Sequence, residues 1–159
     1  MGYRVGQGFD FHPLVGGRKL VLGGVQIAHS KGLQGHSDGD VVAHALANAI
    51  LGALGEGDLG RHFPDHDPRY AGADSIGLLN QVWKAAAEKG WRLTNADLTI
   101  FAQAPKLATF LEPMRVRPAG ALGADRSQVN VKASNPEGLG ALGRGEGMAA
   151  AAIVMVEKN

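Results

Sequence analysis

The stretch VVAHALANAILGAL, residues 41–54, decides the fold. It is apolar on almost every side, and a helix that is apolar all round is a buried helix. Ser37, Asp38 and Asp40 come shortly before it, and one of these short polar side chains is expected to cap its first turn. The sequence therefore predicts a central helix that the rest of the chain surrounds.

The segments around this helix predict a mixed α/β (α+β) fold. The predicted strands are 3–11, 19–27 (broken at Gly23-Gly24), 91–102, 128–133 and 148–158. A second helix begins at Asp74 or Ser75 and ends before Gly90, and a third begins near Pro113 with a kink or early end at Pro118. Residues 31–40 and 55–72 are predicted loops. The order ββααβαββ suits one mixed sheet covered by helices, within a single domain at 1–159.

Composition excludes several classes of protein. The 159 residues are 45% hydrophobic and 19% charged, which is typical of one globular domain. A formal net charge of +1 argues against a nucleic-acid surface. Because cysteine is absent, a transition metal must be held by nitrogen and oxygen ligands. No apolar run reaches membrane-spanning length and no signal peptide is recognisable, so a cytoplasmic protein is expected.

The segment GFDFHPL, residues 8–14, suggests a metal site. Residues i and i+2 of a strand share a face, so Asp10 and His12 can converge on one ion. His44 is a candidate third ligand, and Asp40 or Asn48, one helical turn away on either side, could orient its ring. Such a set leaves an open position, as catalytic zinc sites require. The alternative is a hydrogen-bonded core histidine and an unrelated Asp–His pair.

Three further stretches are candidates for ligand binding. GLGALG, residues 138–143, matches a dinucleotide fingerprint, but no helix is predicted after it and no acidic residue follows about 20 positions on. An anion-binding loop between Glu137 and Arg144 fits better, and a glycine-rich hairpin connection is the alternative. HFPDHD (62–67) lies in a loop long enough to bind a ligand, or it is solvated surface. AQAPK (102–106) ends a strand.

Together these stretches identify the chain as a member of a known family. GFDFH, HSDGDVVAHALANAILGALGEGDLGRHFPDHDP, AQAPK, VNVKAS and LGRGEG closely resemble 2-C-methyl-D-erythritol 2,4-cyclodiphosphate synthases, nearly end to end and in the same order. The resemblance implies conversion of 4-diphosphocytidyl-2-C-methyl-D-erythritol 2-phosphate to the cyclic diphosphate and CMP. It also implies a phosphorus–oxygen lyase of isoprenoid biosynthesis that depends on metal ions.

The resemblance also assigns site residues. Asp10, His12 and His44 would hold zinc, and Glu137 would hold Mg²⁺ or Mn²⁺ between the two phosphates of the cytidine diphosphate unit. The residues implied to bind substrate are Asp10, His12, His36, Ser37, Asp58, Gly60, Phe63, Asp65, Asp67, Ala102, Ala104, Lys106, Ser134, Asn135, Glu137 and Arg144. His36 and Asn135 are the implied catalytic residues, and Asn135 stands where the family usually has a threonine whose hydroxyl stabilises the transition state.

Assembly is the last implication of the resemblance. Family members are homotrimers with each site between neighbouring chains, and an isoprenoid diphosphate is a possible ligand of the cavity on the trimer axis. Ala141 stands where an aromatic residue often lines that cavity. Two other functions are compatible with the residues: a two-His, one-carboxylate Fe(II) oxygenase, and a non-catalytic module that binds a nucleotide or isoprenoid phosphate.

Overall fold

The apolar stretch forms the central helix with the predicted bounds. In the computed structural model, which describes residues 2–158, α1 spans Val41–Leu54 and nearly all of its residues are buried. The Asp40 side chain accepts the backbone N–H groups of Val42 and Ala43, so Asp40 is the cap. Gly55 ends the helix in a left-handed conformation, φ +71°, which glycine adopts without strain.

The other elements form a mixed sheet with helices, which confirms the predicted fold class. The strands are β1 Gly2–Gly16, β2 Leu20–Leu22, β3 Val25–Ile27, β4 Lys31–Leu33, β5 Trp91–Phe101, β6 Val129–Ser134 and β7 Gly147–Lys158. The remaining helices are α2 Leu59–His62, α3 Ser75–Glu88, α4 Leu111–Ala121 and α5 Gly140–Gly143. The main sheet has the order β4-β1-β7-β5-β6, with β5 and β6 parallel and the other pairs antiparallel.

The first half of the chain differs from the predicted order. The first strand continues to Gly16, and the predicted strand 19–27 is two short strands joined in a hairpin. Gly23 and Gly24 form its turn with φ of +55° and +73°, a backbone that reverses the chain rather than bending it. The predicted loop 31–40 contains β4, and the predicted loop 55–72 contains α2 and a 3₁₀ turn at Pro68–Tyr70.

Later segments need smaller corrections. The third long helix begins at Leu111 rather than at Pro113, and Pro118 lies inside it shortly before its end at Ala121. Ser75 begins α3, and its cap is Asp74, whose side chain accepts the N–H of Ile76. The glycine stretch does contain a helix, the single turn α5, but it is too short for the dinucleotide motif.

The helix α1 lies directly on the backbone of β1. A Cβ atom on Gly6 would be 1.9 Å from the carbonyl oxygen of Ala49, and one on Gly8 would be 2.0 Å from that of Ala45. Any side chain at either glycine would therefore collide with the helix backbone. The even-numbered residues of β1 face α1, and this contact brings the strand and helix as close as two backbones allow.

Helices cover only one face of the sheet. The odd-numbered residues of β1 lie on the opposite face, where Val5, Phe9 and Phe11 are 62%, 50% and 65% exposed. Ile153 of β7 pairs with Gln7, lies on the same face and is 51% exposed. The predicted helical cover of the sheet is therefore confirmed, and it lies on one face. Within residues 2–158, no helix has the length and apolar character needed to cross a bilayer.

The contact between α1 and β1 can be tested with two alanine substitutions in one strand. We expect Gly8→Ala to lower the free energy of unfolding by about 1–3 kcal/mol, because the helix must move away from the strand. Gly16→Ala, where a Cβ meets nothing within 4 Å, is the control and should change it by no more than about 0.5 kcal/mol. Urea unfolding measures both, and equal losses would contradict the steric explanation.

Candidate active site

Three potential metal ligands converge between β1 and α1. Asp10 and His12 project from β1 toward the helix, and His44 projects from the second turn of α1 toward the strand. Asp10 Oδ2 lies 2.9 Å from both His12 Nε2 and His44 Nδ1, and the two nitrogens are 3.3 Å apart. All three ligand atoms lie within 4.8 Å of one another and are partly buried. Two imidazoles and one carboxylate at this spacing fit a divalent ion and leave a position for a ligand.

Mutual contacts change the acidity of this cluster. Burial alone would raise the pKa of Asp10, but hydrogen bonds to His12 and His44 outweigh burial and lower it. Burial alone would lower the pKa of His12, but its hydrogen bond to Asp10 and the charge of that carboxylate raise it. Because His12 also bonds the backbone of Gln34, its ring is held from two sides.

The ring of His44 is oriented by serines rather than by the predicted residues. Ser75 Oγ lies 2.8 Å and Ser37 Oγ 3.0 Å from His44 Nε2. Asn48 instead accepts the N–H of Leu59. The prediction that Asp40 or Asn48 orients the ring was therefore wrong, because both side chains satisfy backbone donors. Ser75 is distant in sequence, and no local pattern connects it to His44.

Asp40 instead connects α1 to the β2–β3 hairpin. Besides capping the helix, its two oxygens accept the N–H groups of Gly23 and Gly24 at 2.8 and 2.7 Å. The side chain is fully buried, and burial raises the pKa of Asp40 to about 6 despite these bonds. The start of α1, one turn before His44, is thereby held against the hairpin.

A small cavity of about 150 Å³ opens beside the metal cluster. His36, Ser37, Gly60, Phe63 and Asp65, all predicted to bind substrate, line it together with His12 and His44. Apolar side chains that the sequence analysis did not single out complete the wall: Leu59, Tyr70 and Leu78. The cavity combines hydrogen-bonding side chains with an apolar wall.

Two predicted ligands near this cavity have local partners. Asp58 caps α2 by accepting the N–H of Arg61. Asp67 forms an ion pair with Arg69, whose hydrogen bonds lower the pKa of Asp67 to about 2. The backbone carbonyl of Asp67 accepts a hydrogen bond from His36 Nε2 at 2.9 Å. Asp67 thus holds His36 in place through its backbone, whatever its carboxylate binds.

A second cavity of about 240 Å³ lies beyond the carboxyl ends of the parallel strands β5 and β6. Ala102, Lys106, Ser134 and Asn135, all predicted to bind substrate, line it. Ala104 lies in the same loop and precedes a cis peptide bond to Pro105. Ends of parallel strands are a common position for ligand sites in open α/β sheets.

The loop after β6 is held to this second cavity. Glu137 is the one residue other than glycine with positive φ, +55°, among residues 2–158. Its N–H donates to Asn135 Oδ1 at 2.7 Å, and the N–H of Gly138 donates to Gln103 Oε1 at 2.9 Å. These bonds leave the Asn135 amide N–H₂ and the exposed Glu137 carboxylate available for a ligand. Gln103 was not identified from the sequence.

A larger open cavity of about 620 Å³ shares His12 with the small cavity. Phe11, Leu139 and Ala141 give it an apolar wall, and His12 and Glu146 add polar groups. Arg144 is exposed, and its Nε donates to Glu146 Oε1 at 2.6 Å. The glycine loop therefore pairs a guanidinium with Glu146, which lines this cavity.

The metal cluster and the second cavity lie at the same end of the sheet but on different strands. His12 pairs with Met148 of β7, and on the other side of β7 Ala149 pairs with Phe101 of β5. The small cavity and the second cavity share no lining residue. The predicted site residues are thus brought into two groups, separated by β7.

Comparisons with known proteins give a consistent picture. The model of the YgbB family matches residues 3–157. The chain is 59% identical to 2-C-methyl-D-erythritol 2,4-cyclodiphosphate synthase of Geobacillus kaustophilus, with 99% of each chain covered. It is 55% identical to the synthase of that name from Bacillus subtilis, again covering 99% of each chain.

Solved structures agree with the sequence matches. The IspF CDP complex of Plasmodium falciparum superposes with a TM-score of 0.87 at 30% identity, covering 99% of this chain and 97% of that one. The bifunctional IspDF of Campylobacter jejuni gives 0.95 at 44% identity, covering 99% of this chain but 43% of the larger protein.

The metal cluster can be tested by removing one ligand. We expect His44→Ala to lose bound zinc almost completely while keeping its helix content, because a helix tolerates alanine well. His66→Ala, which removes an exposed histidine from the loop, should keep about one zinc per chain. Elemental analysis and circular dichroism measure both effects. A His44→Ala protein with a full equivalent of zinc would show that His44 is not a ligand.

Proposed function

The chain belongs to the YgbB family, and on this premise we propose that it is an enzyme with the activity of its full-length relatives. It would convert 4-diphosphocytidyl-2-C-methyl-D-erythritol 2-phosphate to 2-C-methyl-D-erythritol 2,4-cyclodiphosphate and CMP. The observation that carries the proposal is the convergence of Asp10, His12 and His44 beside a cavity lined by predicted substrate ligands. The oxygenase and non-catalytic alternatives are not favoured, since the relatives are named synthases.

The reaction is an internal displacement at phosphorus. An oxygen of the 2-phosphate bonds to the β-phosphorus, the bond between that phosphorus and the bridging oxygen breaks, and CMP leaves with the bridging oxygen. The 2-phosphate is already ionised at neutral pH, so no side chain has to act as a base. Because the attack is intramolecular, much of the advantage comes from holding the substrate in a folded conformation.

This chain's residues would bind the two ends of the substrate. His36, Ser37, Phe63 and Asp65 would hold the methylerythritol phosphate in the small cavity, with Phe63 against its methyl group. The 102–106 loop would hold cytosine in the second cavity, and Asp58 and Gly60 would meet the ribose. Asn135 N–H₂ would donate to the phosphate oxygens as charge develops, in place of the threonine hydroxyl usual in the family.

Two metal positions complete the proposed site. Asp10, His12 and His44 would hold zinc, and Glu137 would hold Mg²⁺ or Mn²⁺. Bound at these positions, the ions would act as Lewis acids on phosphate oxygens and offset the charge of the leaving CMP. The left-handed backbone at Glu137 supports its role, because strained backbone outside glycine is concentrated at functional sites.

We further propose a homotrimer in which each site lies between two chains. The uncovered sheet face supports assembly, since Val5, Phe9, Phe11 and Ile153 are large apolar side chains exposed on one surface. Two separate half-sites in one chain also suit a complete site built from neighbouring copies. The open cavity beside Phe11 and Ala141 would then be a place for an isoprenoid diphosphate.

The reaction itself can be tested by the products. Protein loaded with zinc and magnesium should convert the cytidyl substrate to equal amounts of cyclic diphosphate and CMP, because the bound substrate holds its own 2-phosphate next to the β-phosphate and this internal nucleophile outcompetes water. Phosphorus NMR of the reaction mixture measures both. A linear hydrolysis product as the main species would contradict cyclisation, and binding without release of CMP would favour the non-catalytic alternative.

The shared site can be tested by mixing two inactive variants. His44→Ala removes a metal ligand, and Ala102→Trp fills the second cavity. Random equal mixing makes about three quarters of the rings mixed. In a cyclic trimer each mixed ring has one junction of its three at which both halves of the site are intact, so about one quarter of all sites should become active. The variants are unfolded and refolded together, with wild type refolded in the same way as control. Mixed trimers that stay inactive would contradict sharing.

A further inference from the structure

A buried hydrogen-bond network lies behind the metal cluster, on the side of His44 that faces away from Asp10 and His12. Ser75, the first residue of α3, is 1% exposed, and its Oγ lies 2.8 Å from His44 Nε2. The same oxygen lies 2.5 Å from Asp38 Oδ1 and 3.1 Å from Ser37 Oγ. The N–H of Ser75 donates to Asp38 Oδ2 at 3.1 Å, so the carboxylate holds this serine by two bonds.

The hydrogen bonds of this network determine which atoms carry the protons. Ser75 Oγ donates its single hydroxyl proton to Asp38 Oδ1, so this proton is not available to His44. Ser75 Oγ can then only accept from His44, which requires the proton on Nε2. With the proton on Nε2, the nitrogen that faces Asp10 and His12, Nδ1, can present its lone pair when a metal ion takes the place of the hydrogen bond between His44 Nδ1 and Asp10 Oδ2. A metal ligand must present a lone pair, so this is the tautomer that binds.

Ser37 is the second hydroxyl near the ring, but it has a different role. Its Oγ lies 3.0 Å from His44 Nε2, yet Ser37 also lines the small cavity beside the metal cluster. Ser75 Oγ has a second lone pair that accepts the Ser37 proton when no ligand is bound. Ser37 is thus able to turn its hydroxyl toward a ligand, whereas Ser75 is held by Asp38.

We propose that Asp38 and Ser75 are positioning residues that fix the tautomer and ring plane of His44 for metal binding. The proposal rests on the proposed metal site but not on the reaction. Carboxylate partners behind metal-binding histidines commonly act directly on the ring nitrogen, and their loss costs about 10- to 100-fold in metal affinity. Here a serine hydroxyl stands between the carboxylate and the ring.

The test compares two serines that contact the same nitrogen. Ser75→Ala should raise the Kd for zinc about 10- to 100-fold, measured by competition with a chelator. Ser37→Ala removes the other hydroxyl and should raise the Kd for zinc by less than about 3-fold, because Ser75 still accepts the hydrogen bond from His44 Nε2. Ser75→Thr, which keeps a hydroxyl, should restore most of the affinity.

A spectroscopic measurement separates positioning from a structural role. In zinc-loaded wild type with ¹⁵N-labelled histidine, the proton on His44 Nε2 should exchange slowly with solvent. In Ser75→Ala the same proton should exchange fast, while the helix content stays unchanged. Equal zinc affinity and equal exchange in Ser75→Ala and wild type would overturn the proposal, as would a larger affinity loss in Ser37→Ala.

Two further outcomes are distinguishable. Wild type that binds no zinc contradicts the metal site, whereas zinc-binding wild type with an unaffected Ser75→Ala contradicts only the positioning role. If Ser75→Ala does not fold, Asp38→Asn replaces it. Its amide can donate to Ser75 and turn the serine proton toward His44 Nε2, so zinc affinity should fall here too. An unchanged affinity in Asp38→Asn would overturn the proposal.

Discussion

The structure depends on one close contact, the approach of α1 to β1 over Gly6 and Gly8. Helices usually pack on sheets through side chains, but here the carbonyl oxygens of Ala45 and Ala49 occupy the space where two Cβ atoms would be. That proximity lets the short side chain of Asp10 on β1 reach His44 on α1 at hydrogen-bond distance. The metal cluster is therefore a consequence of backbone packing, and not only of the identity of its ligands.

The surroundings of His44 are fixed by the β2–β3 hairpin and α3 as well as by β1. Asp40 ties the start of α1 to the hairpin turn at Gly23 and Gly24, and backbone donors offset part of the cost of burying its charge. Ser75 approaches the ring from α3, and His12 approaches it from β1. A ligand ring held from so many directions has little freedom to turn, which is what preorganised metal sites require.

The sequence predicted what depends on local patterns. The bounds of α1 follow from its apolar run and Gly55, and Asp10 and His12 share a face because strands alternate. It could not predict β4, whose three residues pair only with the far end of β1, or the role of Ser75, which meets His44 through tertiary packing. The repeat of Gly6, Gly8, Asp10 and His12 at every second position was a signal of the α1 contact that periodicity analysis for apolar residues overlooks.

The alternation along β1 couples two surfaces that share no atoms. Its even positions carry the glycines and the ligands, and its odd positions carry Val5, Phe9 and Phe11 on the bare face. An inserted or deleted residue before Asp10 would exchange the two sets, turning phenylalanines onto the helix and the ligands outward. A slip of two residues would keep the faces but carry both ligands about 7 Å along the strand, away from His44. The spacing between the glycines and the ligands of β1 is therefore constrained from both faces of the sheet.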